Sequence, residues 1–311
     1  MKLGLLGYGS QGRAEALNLR KSNFKFLLGL RPGRSWDQAV KDGFEPMSPE
    51  ECIEKSEVVF LNLPDQAQAK FYREHLLKQA HLRWIVFAHG FSTSFQLIPV
   101  EPQGPAHILI APKGAASGLE RLYGTAKALP GVLAYEATEK NPIGPGEKRE
   151  IEKLALAIGC HPKAIFWASF KDECICDLFS EQALLCGGVS SLLRKSFETL
   201  VEAGYNPKTA YFETLYELKL IVDLIWEHGI SGMRSRISPT ARFGDVTRGD
   251  RVIDDSVKEN MKKILSEIES GKFTREFLEK NDSSEYQQEL DRQSDHEIEK
   301  IGSLIREQMQ S

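Results

Sequence analysis

No apolar run in the chain approaches the ~20 residues that a bilayer-crossing helix needs, and strand-like sequence starts at Lys2, leaving no stretch for a signal or transit peptide. A cytoplasmic protein with no membrane partner is the expectation. Cysteine is scarce. The five residues, at 52, 160, 174, 176 and 186, form an odd set with no CxxC pair and no Cys/His zinc spacing, so reduced thiols are expected rather than a disulfide framework. Positive charge is not in excess either: 40 Lys and Arg against 44 Asp and Glu leave a net charge of −4, which removes the broad basic field of a nucleic-acid binder. Repeats and low-complexity tracts are missing as well. What remains is small-molecule chemistry, in a chain of 311 residues long enough for two domains, each with its own core.

The first half alternates short apolar runs with helix-like stretches, the pattern of βαβ units and a doubly wound parallel sheet. Strands are expected at Lys2 to Gly7, Phe24 to Gly29, Val58 to Leu63, Ile85 to His89, His107 to Ala111, Val132 to Glu136 and Ala164 to Ala168. After Phe170 strand signals stop and helical periods take over, from Asp177 to Ala203, Pro207 to His228 and Asp254 to Ser270. This divides the chain into an α/β Rossmann domain, residues 1–168, and an all-α domain, residues 169–311. The tail beyond Lys280 is polar, with apolar periodicity only at Ile298, Ile301 and Ile305, and reads as a loosely held terminal helix.

Gly7-Tyr8-Gly9-Ser10-Gln11-Gly12 is GxGxxG, set between a strand and a helix. The glycines permit a tight turn and close approach of a pyrophosphate to a helix N-terminus, so this loop is expected to bind a dinucleotide. An NAD-specific fold usually ends its second strand on an acid; here the strand runs into Arg31, Arg34 and Ser35, whose guanidiniums and hydroxyl suit a 2′-phosphate and hence NADPH. Arg34 reads equally as a solvated loop charge. Leu63-Pro64-Asp65, after the third strand, stands where such folds pass over the cofactor, or is an ordinary strand-ending turn. His89 and Lys113 close later strands at the end where open α/β sheets bind ligands, although either could serve structure alone.

In the helical half, Asp177 and Glu181 are four apart in line with Leu184, Leu185 and Gly188, and Glu213 and Glu217 share a stripe with Leu220 and Leu224. Carboxylates on apolar stripes are expected to be buried, and buried acids require protons or cations. An all-oxygen set suits Mg²⁺, and two pairs suit two ions. The competing reading leaves these acids exposed or salt-bridged. Cys174 and Cys176 flank the first pair, but a hard ion does not select thiolate.

Together these stretches resemble the short-chain, class I ketol-acid reductoisomerases, also called acetohydroxyacid isomeroreductases. The resemblance rests on GYGSQG at 7–12, GLRPG at 29–33, SW at 35–36, LPD at 63–65, AHGF at 88–91, APKG at 111–114, DLFSEQALLCGG at 177–188, FETLVEAGY at 197–205, AYFETLYELKLIVDLI at 210–225 and SPTARFGDVTRGDRVI at 238–253. It implies a Rossmann sheet followed by a knotted helical domain. It implies NADPH at Gly7 to Gly12, Arg31, Ser35, Leu63 to Asp65 and Gly114, and two Mg²⁺ per site, with Asp177 bridging, Glu181 on the first ion and Glu213 and Glu217 on the second. Catalytic roles fall to His89 beside the nicotinamide, Lys113 supporting the bridging acid, Glu217, and Ser238 on the substrate carboxylate. The partners implied are a 2-acetohydroxy acid such as 2-acetolactate and a second copy of the chain, in a homodimer or an assembly of dimers whose helical domains exchange the second acid pair and the serine. The reaction implied is Mg²⁺-dependent alkyl migration followed by NADPH reduction, in valine and isoleucine synthesis.

The sequence departs from the family where Gly-Pro-Gly usually follows the lysine: here Lys113 precedes Gly114-Ala115-Ala116. Pro239 and Arg242 stand where acids are common. Two alternatives follow, an NADP-dependent hydroxy-acid reductase with a divergent substrate and a catalytically retired NADP-binding paralogue.

Overall fold

A computed structural model describes residues 1–310. Its first half runs β1 (Leu3–Leu6), α1 (Ser10–Lys21), β2 (Phe26–Gly29), α2 (Arg34–Lys41), α3 (Pro49–Glu54), β3 (Val58–Leu61), α4 (Asp65–Phe71), β4 (Trp84–Phe87), α5 (Phe91–Ser94), β5 (Ala106–Pro112), α6 (Ala116–Arg121), β6 (Leu129–Glu136), α7 (Pro145–Ile158) and β7 (Cys160–Trp167). The seven strands form one sheet in the order β2-β1-β3-β4-β5-β6-β7. Neighbours are parallel except β5 and β6, which run antiparallel with Ile108 opposite Tyr135. An all-parallel sheet was the expectation, and this pair corrects it: an apolar run has the same period in either direction, so it carries no sign of strand polarity.

Alternation along each strand builds two cores, one on each face. Leu3, Leu5, Val58, Phe60, Trp84, Val86, Ile108 and Ile110 pack with Ala16 and Leu19 of α1 and Ile151, Leu154 and Ile158 of α7. Leu6, Val59, Leu61, Ile85, Phe87 and Leu109 face the other way, against Cys52 and Ile53 of α3 and Tyr72 and Leu76 after α4. Helices on both faces are what makes the fold doubly wound.

The second half comprises α8 (Phe170–Ser180), α9 (Gly187–Glu202), α10 (Pro207–Tyr211), α11 (Glu217–Arg234), α12 (Pro239–Val252), α13 (Asp255–Glu269), α14 (Lys272–Lys280), α15 (Ser284–Ser294) and α16 (Glu297–Gln310). π-helical turns fill Tyr72–Leu76 after α4, Glu181–Leu185 after α8 and Phe212–Tyr216 after α10. The chain divides into two compact units, Met1–Cys176 and the residues from Asp177 on, and the division falls inside α8.

The tail is more firmly held than its composition suggested. Ile298 and Ile305 of α16 are buried with Phe197, Ala210 and Tyr211, and Ile301 packs on the same cluster. His296 contacts the Glu198 carboxylate at 2.9 Å, and Arg306 donates to the Tyr211 hydroxyl at 3.2 Å. Three isoleucines at helical spacing bury enough apolar surface to dock an otherwise polar helix.

Candidate active site

The loop between β1 and α1 is built around backbone proximity. Gly7 has φ of +103°, and a Cβ there would lie 2.3 Å from the Asn62 carbonyl oxygen; a Cβ on Gly12 would lie 2.4 Å from the Gly7 oxygen. Neither position can carry a side chain without moving the turn. On its outer side, Arg13 makes a two-pronged contact to Asp42 at 2.7 and 3.1 Å, Tyr8 donates its hydroxyl to Asp42 at 2.9 Å, and Arg13 also reaches Glu120 at 3.2 Å. The Arg13 guanidinium holds the Asp42 carboxyl down at about 2, so the clamp is charged throughout the neutral range.

A cavity of about 740 Å³ lies over the ends of β1, β2 and β3. Gly7, Tyr8 and Gly9 line it from the loop, Arg31, Arg34 and Ser35 from the end of β2, and Leu63 and Pro64 from the end of β3. The sequence reading missed its far wall, formed by Glu50 of α3, Lys70 and Phe71 of α4, and Glu74 and His75 of the π turn. His75 stacks on Phe71 at 4.5 Å between centroids and stands 3.2 Å from Glu50. Of the residues assigned to the cofactor from sequence, Ser10, Gln11, Gly12 and Asp65 adjoin this lining in the chain without belonging to it. Gly114, at φ of +152°, is turned towards the Leu129 side chain instead.

Beneath the loop sits a carboxylate that the sequence reading passed over. Glu15 is fully buried and accepts amide hydrogens from Gln11 at 2.9 Å and Asn62 at 2.5 Å. Burial pushes its pKa up from 4.5 to about 7, against those two hydrogen bonds. The folded protein therefore binds a proton between these values that the unfolded chain has lost, so stability falls as pH rises across this window. The displacement corresponds to about 3 kcal/mol at full extent. Glu15→Gln is expected to melt higher than wild type at pH 8 and no higher at pH 5, as thermal denaturation at the two values will show.

At the other end of the sheet edge, His89 follows β4 and Lys113 follows β5. Lys113 donates through Nζ to Glu173 Oε1 at 2.5 Å, and the Gly90 amide donates to Glu173 Oε2 at 2.8 Å. The Glu173 side chain has no exposed surface, so α8 enters the ends of β4 and β5 through this one acid. A ring nitrogen of His89 lies within 4.8 Å of a Glu173 carboxylate oxygen, and His89 Nδ1 is 3.8 Å from Asp65. Asp177 follows Glu173 by one turn of the same helix. That i−4 spacing was the available signal for Glu173.

The remaining acids correct one expectation. Glu181, Glu213 and Glu217 were expected to be buried, yet the single chain leaves all three exposed, along with Leu184, Leu185 and Leu220 on their stripes. The stripes are real but nothing in this one chain covers them. Among the described residues, these three acids join no cluster of three ligating groups within 4.8 Å. Both pairs border π turns: Glu181 opens one, and Glu213 lies within the other, just before Glu217. Such turns are rare and concentrate at functional sites. Ser238 caps α12 by accepting from the Ala241 amide at 3.1 Å, which leaves its hydroxyl hydrogen available to a ligand. As a donor set the four acids offer only oxygen, which fits a hard divalent ion.

A glycine-loop dinucleotide cavity on a doubly wound sheet, with a charged lysine–carboxylate pair at the neighbouring strand ends, defines a nicotinamide-dependent oxidoreductase. Family models agree over nearly the whole chain: residues 1–162 match the NADPH-binding domain of acetohydroxy acid isomeroreductase, and residues 170–311 match the C-terminal domain of ketol-acid reductoisomerase. The chain belongs to the ketol-acid reductoisomerase family and acts on acetohydroxy acids in branched-chain amino acid synthesis. Among solved structures it is similar to an NADH-preferring ketol-acid reductoisomerase from an uncultured archaeon, at 35% identity and a TM-score of 0.88, covering 98% of this chain and 94% of that one. A putative oxidoreductase from Jannaschia sp. (13% identity, TM-score 0.65, 86% of this chain and 97% of that one) and a 1-pyrroline-5-carboxylate reductase from Streptococcus pyogenes (17%, 0.58, 87% and 98%) share the fold. Among the described residues no helix is long and apolar enough to cross a membrane.

Proposed function

We propose that the chain isomerises 2-acetohydroxy acids such as 2-acetolactate with two Mg²⁺ ions and reduces the product with NADPH, as a homodimer or an assembly of dimers. The observation that carries this reading is the donor set of the helical half: four acids in two pairs one turn apart, each beside a π turn, with no competing base among them. Residues 1–168 hold the cofactor, and residues 169–311 hold the metal and form the dimer. Bound there, the ions polarise the ketone and hold the alkoxide while the alkyl group moves, so that no protein nucleophile is needed. Asp177 and Glu181 ligate from one subunit, and Glu213 and Glu217 of the partner subunit complete the set. Lys113, kept charged by Glu173, donates towards the bridging acid and its water. Ser238 of the partner subunit bonds the substrate carboxylate, and His89 borders the nicotinamide. In purified protein, NADPH oxidation with 2-acetolactate is expected to require added Mg²⁺; turnover unchanged in the presence of excess chelator overturns the reading.

Support for NADPH comes from Arg31, Arg34 and Ser35 on the cavity wall. A second reading, NADH, has its own support. Glu50 and Glu74 line the same cavity, a carboxylate suits a ribose 2′-hydroxyl better than a 2′-phosphate, and the similar archaeal enzyme is NADH-preferring. The double change Arg31→Ala with Ser35→Ala separates them. Under NADPH preference, KM for NADPH is expected to rise about tenfold with KM for NADH nearly unchanged; equal KM values before and after the change favour NADH.

A further inference from the structure

Glu15 has no part in the chemistry above, yet it is the most deeply placed acid of the cofactor domain. We propose that Glu15 couples cofactor binding to uptake of a proton: in its ionised form it opposes the cofactor's pyrophosphate, and binding is completed by protonating it.

The geometry puts this carboxylate one side chain away from the phosphate turn. Gln11, which holds Oε1, belongs to the glycine loop itself, and Asn62, which holds Oε2, lies against that loop through its carbonyl at Gly7 and its Cβ at Gly12. A dinucleotide seated on the loop brings two phosphate charges to the N-terminus of α1. An ionised Glu15, in the second turn of that helix and shut away from water, cancels part of the positive potential that the helix end supplies. Both of its partners are primary amides, which can turn over to accept from a carboxyl proton as readily as they donate to a carboxylate. Asn62 Oδ1 is buried with no hydrogen-bond partner, so one such acceptor stands ready beside the carboxyl group. Protonation therefore keeps the tether between loop and β3 while removing the charge.

No cation compensates Glu15. Arg13 on the same helix is committed to Asp42 and Glu120, and Lys21 reaches Asn18 and the Glu120 carbonyl. On α7, Glu150 faces Arg83, Glu152 accepts from Trp167, and Lys148 lies over the rings of Tyr135 and Trp167. From β7 the Cys160 thiol feels Glu15, but burial pushes it up to about 12, so it stays neutral beside a carboxyl group that titrates near 7. His75 and Glu50 on the cavity wall also titrate, and they are common to wild type and to any Glu15 variant.

The inference rests on the dinucleotide seating at this loop, and its test compares wild type with Glu15→Gln, a neutral isostere of the protonated acid. Dissociation constants for NADH and for NADPH are measured by fluorescence from pH 6 to pH 8.5, without substrate or metal. Wild type is expected to lose about fivefold more affinity than Glu15→Gln over this range for both cofactors. The ionising 2′-phosphate of NADPH cancels in the comparison. Calorimetry of wild type at pH 7.5 in two buffers of different ionisation enthalpy is expected to register proton uptake on binding, a readout that requires no variant and that a merely structural acid would not give. Parallel pH profiles for the two proteins, or no proton uptake, overturn the proposal and leave the cofactor site standing. Binding of neither cofactor by wild type at any pH overturns both.

Discussion

Glu173→Gln is expected to lower kcat about a hundredfold while leaving cofactor affinity near that of wild type. The side chain is wholly buried and accepts from two donors, the Lys113 ammonium and the Gly90 amide. An amide in its place has one accepting oxygen, so its own N–H₂ must confront either the ammonium or the backbone N–H. Either way Lys113 loses its counter-charge and the ends of β4 and β5 lose their common anchor on α8. The glycine loop is served by other contacts, to Asp42 and Asn62, and should not register the change. Steady-state kinetics with 2-acetolactate beside a fluorescence titration with NADPH make the comparison. A variant that loses cofactor affinity in proportion to kcat would show Glu173 to be a general support of the fold and not a group of the reaction centre.

Trp226→Glu is expected to give a monomer with no measurable turnover. Trp226 is 82% exposed in the single chain, and Tyr216, Leu220, Val222 and Ile230 on the same stretch are exposed with it, as are Phe243, Val246, Val252 and Ile253 beyond. Scattered apolar residues on a surface are ordinary, but an aromatic and aliphatic face running over α11 and α12 is of the size that marks an obligate interface. A charge at its centre cannot be desolvated when a second copy docks. Sedimentation is expected to show half the wild-type mass, and NADPH is expected to bind normally, because the glycine loop belongs to the other unit. A fully active monomer would remove the shared site from the proposal.

Much of the first unit could be read from the sequence because its signals are local. Seven apolar runs separated by helix-length stretches placed the strands to within a few residues, and the glycines announced a turn whose close contacts, Gly7 to Asn62 and Gly12 to Gly7, no other residue allows. What escaped reading was set by tertiary context. The reversed direction of β6 leaves no mark on its composition. The π turns are single-residue departures from helical register within otherwise ordinary helical sequence. Glu15 was hidden because an acid in an amphipathic helix ordinarily faces water, and only packing reveals that this one is enclosed. Glu173 was the nearest miss, since it stands one turn before an acid already singled out and shares its face.

The π turn at Phe212–Tyr216 has a consequence for how this helix tolerates change. Each such turn takes up one more residue than an α-helical turn would, so removing any one residue from the segment restores ordinary helix and rotates everything after it by about 100°. Glu217 and the apolar stripe of α11 would then point around the helix relative to α10, with every side chain still present. Length within 212–216 is therefore under a tighter constraint than composition, and a deletion scan across it should be more damaging than most substitutions in the same five positions.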